Sequence, residues 1–191
     1  MAPLIIVSGP SGSGKSTIVK CLLEEAFWPM RLSVSVTTRS PRPGEIDGTH
    51  YHFRSVADFV KDKDAGKFLE WAKVHDNYYG TPESEVTPYR EKGVGVLLDI
   101  DVQGAAQVRN FCPDAASIFI RTTRFETLEE RLQSRRTDSA ETIQRRIKNA
   151  QAEIDRANEY DYQVINDDLE TALASVRKIL GPLFERNKHA G

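Results

Sequence analysis

Residues 9–16 read GPSGSGKS, and the segments on either side of them decide the fold of this chain. The preceding run, Leu4–Ser8, is short, apolar and rich in β-branched residues. Such a run is typical of a strand that is buried on both faces of a parallel sheet. After the loop, apolar residues recur at helical spacing through residues 18–27. The glycine-rich loop is therefore predicted to connect a buried strand to a helix.

The loop matches in full the phosphate-binding pattern G-x-x-x-x-G-K-[ST]. Its glycines allow successive backbone N–H groups to turn inward around a phosphate, and the helix N-terminus adds its dipole. Lys15 is expected to reach the β- and γ-phosphates of a nucleotide, and Ser16 to offer a hydroxyl to Mg²⁺. The full match, with a strand and a helix in place, disfavours a chance Gly/Ser turn. The predicted nucleotide-binding residues are Gly9, Pro10, Ser11, Gly12, Ser13, Gly14, Lys15, Ser16 and Thr17.

Composition restricts the class of protein. With 191 residues, 39% of them hydrophobic, the chain is expected to form one core with a small inserted lobe. Lys and Arg number 26 against 28 Asp and Glu, so nothing indicates a nucleic-acid or membrane binder. Cys21 and Cys112 do not form a disulfide framework, and no secretory signal or membrane span is apparent. A soluble protein of the reducing cytoplasm is predicted.

Beyond the loop, apolar strands alternate with helical stretches. Strands are predicted at 94–100, 116–120 and 163–165, and helices at 103–110, 125–136, 139–158 and 168–180. This alternation predicts an α/β fold, with a P-loop NTPase-type parallel sheet flanked by crossover helices. The second strand ends in Asp99 and Asp101, at the sheet edge where such folds bind ligands. Although an Asp at a strand end is often only a cap, Asp99 beside a P-loop is predicted to hold Mg²⁺ through water.

Residues 33–93 interrupt the alternation and are expected to form a small inserted β-rich lobe, with strands at 33–38, 50–53 and 68–74 and a helix at 56–64. Within it, Arg39 and Arg42 flank a proline and suit bidentate recognition of phosphate. Glu70 lies on a predicted strand, where its carboxylate could accept from both N1–H and the 2-amino group of guanine. Taken singly, each of these residues is also explained as ordinary surface or packing chemistry.

Three further stretches follow the loop in order: SVSVTTRSPRPGEIDGTHYHF at 33–53, FLEWAKVHDNYYGTP at 68–82 and VLLDIDVQG at 96–104. Together with GPSGSGKS they closely resemble guanylate kinase, over nearly the whole chain. The resemblance implies the nucleoside monophosphate kinase fold, with a P-loop core (1–32, 94–124 and 160–191), a GMP-binding lobe (33–93) and a helical lid (125–159). It also implies transfer of the γ-phosphoryl group of ATP to GMP, and to dGMP, with Mg²⁺ in the cytoplasm. Whether the chain forms a homo-oligomer is left open.

The resemblance also assigns the substrate contacts. The GMP phosphate would be held by Arg39, Arg42, Tyr51 and Tyr79, and the guanine base by Ser35, Glu70, Thr81 and Asp101. Position 81 is often serine in the family, and threonine keeps the hydroxyl. Asn166, which follows the last predicted strand, would lie beside the adenine of ATP.

A basic helical stretch is expected to supply the lid. Phosphoryl transfer requires positive charge around the γ-phosphoryl oxygens, and arginines on a closing lid can provide it. The resemblance assigns this role to Arg135 and Arg146, which with Lys15 and Arg39 make up the predicted catalytic set. Family members usually have glycine after the first lid arginine, whereas Arg136 follows here. Both positions therefore stay open, with Arg135 preferred on alignment; a solvated, salt-bridged helix pair is the non-functional alternative.

Two other functions are weighed. Guanylate kinase-like domains of scaffolding proteins bind other proteins without catalysis, and these typically lack a working P-loop. A kinase of similar fold could also act on a phosphorylated sugar. The intact Gly14, Lys15 and Ser16 argue against the first alternative, and the base-reading Glu70 argues against the second.

Overall fold

The computed structural model describes residues 1–74, 76–133 and 140–188, which form nine strands and seven α-helices. The strands are β1 (Leu4–Ser8), β2 (Met30–Leu32), β3 (Val36–Thr37), β4 (His52–Phe53), β5 (Phe68–Val74), β6 (Asn77–Pro82), β7 (Gly95–Asp99), β8 (Ala116–Arg121) and β9 (Tyr162–Ile165). The helices are α1 (Lys15–Glu25), α2 (Val56–Asp64), α3 (Thr87–Glu91), α4 (Val102–Phe111), α5 (Phe125–Gln133), α6 (Ala140–Ile154) and α7 (Leu169–Lys188).

The central sheet has five parallel strands in the order β2-β7-β1-β8-β9. Because side chains alternate along a strand, β1 contributes to both faces. Ile5 and Val7 join the apolar cluster under α1 and α7, and Leu4 and Ile6 join the cluster under α4. All four are buried, as expected for a parallel sheet covered by helices on both faces. The predicted α/β fold is confirmed, and β1, β7 and the start of α1 meet at one sheet edge.

A second sheet, in the order β4-β3-β6-β5, lies between β2 and β7 in the chain. Strands β5 and β6 form an antiparallel hairpin, while β3 and β4 are parallel. Helix α2 covers this sheet with Phe59, which is fully buried and stacks on Phe68 and Tyr78 at centroid distances of 4.6 and 5.2 Å. This small sheet is the β-rich insertion that the sequence predicts.

Some predicted boundaries are wrong. The sequence does not predict β2, β6 or α3. Strand β2 is too short to show a hydrophobic period. In β6, Gly80 and Pro82 suggest a turn rather than a strand. Of the strand predicted at 33–38, only Val36–Thr37 forms. Helix α7 was predicted to end at residue 180, yet it continues through Pro182 to Lys188.

The extension of α7 has a tertiary cause. A proline inside a helix removes one backbone hydrogen bond and disfavours continuation. Here Phe184, beyond the proline, is only 6% exposed and stacks on Trp28 at 5.7 Å. Burial of this aromatic ring against the core offsets the local penalty. Neither α7 nor any other helix within the described residues has the combination of length and apolar character that crossing a membrane requires.

Candidate active site

The P-loop connects β1 to α1 with backbone conformations that require glycine. Gly14 adopts φ 85° directly before the first helical residue, and its carbonyl accepts from the N–H groups of Thr17 and Ile18 at 3.1 Å. Gly9 has φ 147°, and a Cβ there would lie 2.1 Å from the carbonyl oxygen of Ile120 on β8. Side chains at these two positions are thus excluded, and the loop lies directly over β8.

Two side chains hold the loop from behind. Asn166, only 5% exposed, donates from Nδ2 to the carbonyl of Ser13 at 2.7 Å. Arg131 of α5 donates to the carbonyl of Asn166 at 3.1 Å and lies 3.5 Å from that of Gly12. A Cβ on Gly14 would come within 2.2 Å of Asn166 Nδ2. Asn166 therefore braces the P-loop and does not line the cleft described below, and its predicted place beside adenine remains a prediction.

A cleft of about 380 Å³ opens between the P-loop, the small sheet and α6. On the P-loop side it is lined by Gly9, Ser11, Lys15 and Ser16, and at the end of β7 by Asp99. Lys15 Nζ lies 3.2 Å from Asp99 Oδ1, with the two side chains 19% and 26% exposed. The loop lysine and the strand-end carboxylate therefore face the same partly desolvated space. The other predicted loop residues, Pro10, Gly12, Ser13, Gly14 and Thr17, belong to the loop and first turn without lining the cavity.

The donor set at this edge suits a hard divalent cation. Ser16 and Asp99 offer a hydroxyl and a carboxylate oxygen, the ligand type that Mg²⁺ prefers. Among the residues that the structure describes, no group of three or more His, Cys, Asp or Glu side chains is placed to hold a metal. The two oxygen donors, Ser16 and Asp99, fit Mg²⁺, which is usually bound by one or two protein oxygens together with substrate phosphates and water.

The small sheet supplies the opposite wall of the cleft. Ser35, Arg42, Tyr51 and Tyr79 line it there. The rings of Tyr51 and Tyr79 meet edge to face, with centroids 6.1 Å apart. Burial raises the pKa of the Tyr51 hydroxyl, so it stays a neutral hydrogen-bond donor at physiological pH. This wall presents one guanidinium and two phenolic donors, a set that suits an anionic group.

Arg39 lies beside this wall but does not line the cavity. Its Nη1 and Nη2 donate to the two carboxylate oxygens of Glu45 at 2.9 and 2.8 Å, and its guanidinium carbon lies 5.5 Å from the centre of the Tyr51 ring. Glu45 also accepts from the backbone N–H of Arg42 at 2.6 Å. Hydrogen bonding from Arg39 lowers the pKa of Glu45 to about 2. Sequence reasoning missed Glu45, although its place just after Pro43 and Gly44 marks it as part of the same turn.

Glu70 on β5 is the most deeply buried acid of the cleft, at 4% exposure. Thr81 Oγ1 donates to Glu70 Oε1 at 2.6 Å. Burial raises the pKa of Glu70 to about 7, and the nearby Asp101 carboxylate adds to the rise. Asp101 also lines the cleft and caps α4 by accepting from the N–H of Gly104 at 2.9 Å. Desolvated acceptors of this kind favour a ligand that brings its own N–H donors.

Helix α6 closes the third side of the cleft. Arg146 lines it, together with Asn149 and Glu153, which the sequence does not single out; the role of Arg146 at the transferring phosphoryl group stays a prediction. Burial raises the pKa of Glu153 to about 7, while the nearby Lys15 opposes the rise. Glu153 follows Arg146 by two helical turns, so helical spacing could have placed both on one face. The predicted Arg135 and its alternative Arg136 lie outside the described residues.

A P-loop at the edge of a parallel sheet, facing a wall with a guanidinium, two phenolic hydroxyls and a buried carboxylate, is the arrangement of a P-loop kinase. The family profile described as guanylate kinase matches residues 1–182. The chain belongs to the guanylate kinase family, which confirms the resemblance seen in its motifs.

Individual relatives match over most of their own length. The chain is 48% identical over 186 residues to the guanylate kinase of Idiomarina loihiensis, which covers 97% of this chain and 88% of that protein. It is 49% identical over 187 residues to the guanylate kinase of a Chelativorans species, with 97% and 84% covered.

Solved structures confirm the fold. The guanylate kinase from Anaplasma phagocytophilum superposes with a TM-score of 0.77 at 32% identity, covering 94% of this chain and 84% of that one. A shikimate kinase from Bacteroides thetaiotaomicron reaches a TM-score of 0.50 at 15% identity, with 93% and 98% covered, and shares the fold alone.

Proposed function

We propose that this protein transfers the γ-phosphoryl group of ATP to the phosphate of GMP or dGMP, giving ADP and the corresponding diphosphate, with Mg²⁺ in the cytoplasm. The observation that carries the proposal is that one cleft is lined by the P-loop lysine, Lys15, and by the buried carboxylate of Glu70. The first side chain suits a nucleoside triphosphate and the second a guanine base. Cys21 and Cys112 are free thiols, which is compatible with a reducing compartment.

On the donor side, the backbone N–H groups of the P-loop and the ammonium of Lys15 bind the phosphates of ATP. Ser16 and Asp99 would hold the cation. When bound, Mg²⁺ neutralises charge on the β- and γ-phosphates. Asn166 and Arg131 keep the loop in its binding conformation from behind, through the carbonyls that they contact.

On the acceptor side, Arg39, Arg42, Tyr51 and Tyr79 bind the phosphate of GMP. Arg39 reaches that phosphate only if it shares or exchanges its pairing with Glu45, because one guanidinium edge is occupied by the carboxylate. The residues proposed here bind the phosphate and the base and not the ribose, so we expect dGMP to be accepted as well.

Selectivity for guanine follows from the acceptor character of Glu70. Guanine presents N1–H and a 2-amino group side by side, whereas adenine presents an unprotonated N1 at the same edge. One oxygen of Glu70 already accepts from Thr81, which orients the carboxylate. Ser35 and Asp101 complete the base site. Adenine would leave the buried carboxylate without its donors, and such mismatches are strongly rejected.

The reaction is an in-line displacement. An oxygen of the GMP phosphate attacks the γ-phosphorus, the bridging bond between the β- and γ-phosphates breaks, and its electron pair leaves with ADP. The attacking oxygen is already anionic, so no general base is required. Lys15, Arg146 and one of Arg135 and Arg136 neutralise the transferring group, so that catalysis rests on positioning and charge.

The three parts of the chain take different roles in this proposal. Residues 1–32, 94–124 and 160–191 form the core, residues 33–93 the GMP lobe and residues 125–159 the lid. Closure of the GMP lobe and lid around both nucleotides excludes water from the transferring group.

Steady-state rates with ATP and four acceptors test the proposal: GMP, dGMP, AMP and UMP, with ADP formation followed by a coupled assay. We expect rapid turnover with GMP and dGMP and almost none with AMP or UMP. If GMP bound without any ADP being formed, the chain would be a binding module and the proposal would fail. Turnover of AMP at the rate of GMP would overturn the assignment of Glu70.

A further inference from the structure

Strand β5 is an edge strand of the small sheet, and it lies against helix α4 of the core. An edge strand leaves backbone N–H and C=O groups without a strand partner. At Trp71 these groups are satisfied by a side chain of α4. Gln107 donates from Nε2 to the carbonyl of Trp71 at 2.7 Å and accepts at Oε1 from its N–H at 3.3 Å. The carboxamide thus pairs with β5 as a neighbouring strand would.

One helical turn earlier on α4, Gly104 meets the residue that precedes Trp71. A Cβ on Gly104 would lie 2.3 Å from Oε2 and 2.9 Å from Cδ of Glu70. Both distances are shorter than any ordinary carbon contact. Any side chain at position 104 would therefore clash with the Glu70 carboxylate in its observed position. Glu70 and Trp71, successive residues of β5, therefore contact Gly104 and Gln107, which lie on one face of α4.

The same helical turn also carries the second acid of the base site. Asp101 caps α4 and accepts from the N–H of Gly104. Glu70 belongs to β5 of the small sheet, whereas Asp101 is the N-cap residue of α4, after β7 of the central sheet. The backbone at Gly104 lies against both carboxylates, since a Cβ there would lie 2.3 Å from Glu70 Oε2 and 3.4 Å from Asp101 Oδ1. The spacing between the two acids thus depends on how closely β5 approaches α4.

We propose that Gly104 and Gln107 are positioning residues for guanine recognition: together they seat β5 on α4 and so fix the Glu70 carboxylate relative to Asp101. This inference rests on the proposed function, in which Glu70 reads the base. Gly104 permits the close approach by having no side chain, and Gln107 sets the register of the approach through its two hydrogen bonds. Neither residue lines the cleft in which the nucleotides are proposed to bind.

Gly104→Ala is the direct test. The added methyl group displaces the carboxylate, so the KM for GMP is expected to rise about ten- to a hundredfold. The KM for ATP should stay within about twofold, because the P-loop is untouched. The preference for GMP over IMP, which lacks the 2-amino group, should also fall. Gly181→Ala on α7 is the matched control: nothing lies within 4 Å of a Cβ there, so its kinetics should equal those of the native chain.

Gln107→Met and Gln107→Glu form a second pair of tests. Methionine keeps the bulk but removes both hydrogen bonds to Trp71, whereas glutamate keeps the acceptor for its N–H but places its other oxygen against the Trp71 carbonyl, where Nε2 now donates. We expect both variants to raise the KM for GMP, again with little change for ATP. These variants leave the close approach at Gly104 intact, so they serve as the test should Gly104→Ala fail to fold.

The outcomes distinguish the positioning role of Gly104 and Gln107 from the proposed function itself. If the native chain produces no ADP from ATP and GMP, the proposed function itself is wrong. If the native chain is active and the position 104 and 107 variants keep its KM for GMP and its GMP-to-IMP preference, the positioning role is overturned. Equal rises in the KM values for GMP and ATP would likewise overturn it, because they would indicate general loss of structure.

Discussion

The carboxylate of Glu45 accepts a hydrogen bond from each terminal nitrogen of the Arg39 guanidinium, at 2.9 and 2.8 Å. The same carboxylate accepts from the backbone N–H of Arg42. One acid thus holds both arginines that are proposed to bind the GMP phosphate. A carboxylate and a phosphate match the same fork of guanidinium donors, so Glu45 either orients Arg39 for its ligand or competes with that ligand.

Replacing Glu45 by Gln tests which role dominates. We expect the KM for GMP to rise about tenfold, because Arg39 loses the partner that fixes its rotamer. Glu24→Gln is the control, since Glu24 is exposed and pairs with the exposed Lys20 at 3.7 Å. A lower KM for GMP in Glu45→Gln would show that the carboxylate competes with the phosphate.

Lys15→Ala should lower kcat by about two orders of magnitude or more, because the ammonium is proposed to stabilise charge on the transferring group. Single-turnover rates with saturating ATP and GMP measure this effect. Lys20→Ala is the matched control on the same helix, with a side chain that is 73% exposed. Near-normal turnover of Lys15→Ala would contradict the role given to this lysine.

Asp99→Asn should raise the Mg²⁺ concentration required for half-maximal activity, because one anionic oxygen ligand is removed. A titration of activity with Mg²⁺ at fixed ATP measures the change. Asp64→Asn, at the exposed end of α2, should leave the titration unchanged. If Asp99→Asn also left it unchanged, Asp99 would serve only to pair with Lys15.

Single alanine substitutions can show which of the adjacent arginines, Arg135 or Arg136, contacts the transferring phosphoryl group. Arg135→Ala and Arg146→Ala should each lower kcat by about a hundredfold or more, as expected for arginines at a transferring phosphoryl group. Arg136→Ala should change kcat by less than about threefold if Arg135 makes the phosphate contact, because an arginine that does not contact the transferring group contributes little to its stabilisation. The reverse result for positions 135 and 136 would assign the phosphate contact to Arg136.

Glu70 makes the stability of the protein depend on pH. Because burial raises its pKa from 4.5 to about 7, the carboxyl group ionises more readily in the unfolded chain. The folded state is therefore favoured fully below about pH 4.5 and loses this contribution as the pH rises through 7. Glu70→Gln should reduce the difference in unfolding free energy between pH 5 and pH 8 by up to about 3 kcal/mol.

Urea unfolding of the native chain and of Glu70→Gln at the two pH values measures this change. Glutamine keeps an oxygen that can accept from Thr81, so the variant isolates the charge. The pKa of Glu153 is also raised to about 7, so a smaller pH dependence should persist in the single variant. An unchanged pH dependence in Glu70→Gln would mean that the carboxyl is not desolvated.

The parts of the structure that could be predicted are those set by residues close together in the sequence. The glycines and the lysine of residues 9–16 specify a phosphate loop through local backbone conformation, and the strand and helix beside it have clear apolar periods. Strand β6 was missed because its glycine and proline suggest a turn, and it exists only because β3 and β5 pair with it on either side. The end of α7 was misplaced for a similar reason, since Phe184 is held by the core.

The sequence by itself determined the strand-loop-helix unit, the family and the chemical types of the substrate-binding side chains, because these are properties of short contiguous patterns. Only the tertiary structure decided that Glu45 pairs with Arg39, that Asn166 supports the P-loop from behind and that Glu70 rests against Gly104. These contacts join residues from different turns, strands and helices. Their distances and burial, and hence their pKa values and their positions in the cleft, are set by how the two sheets and α4 pack together.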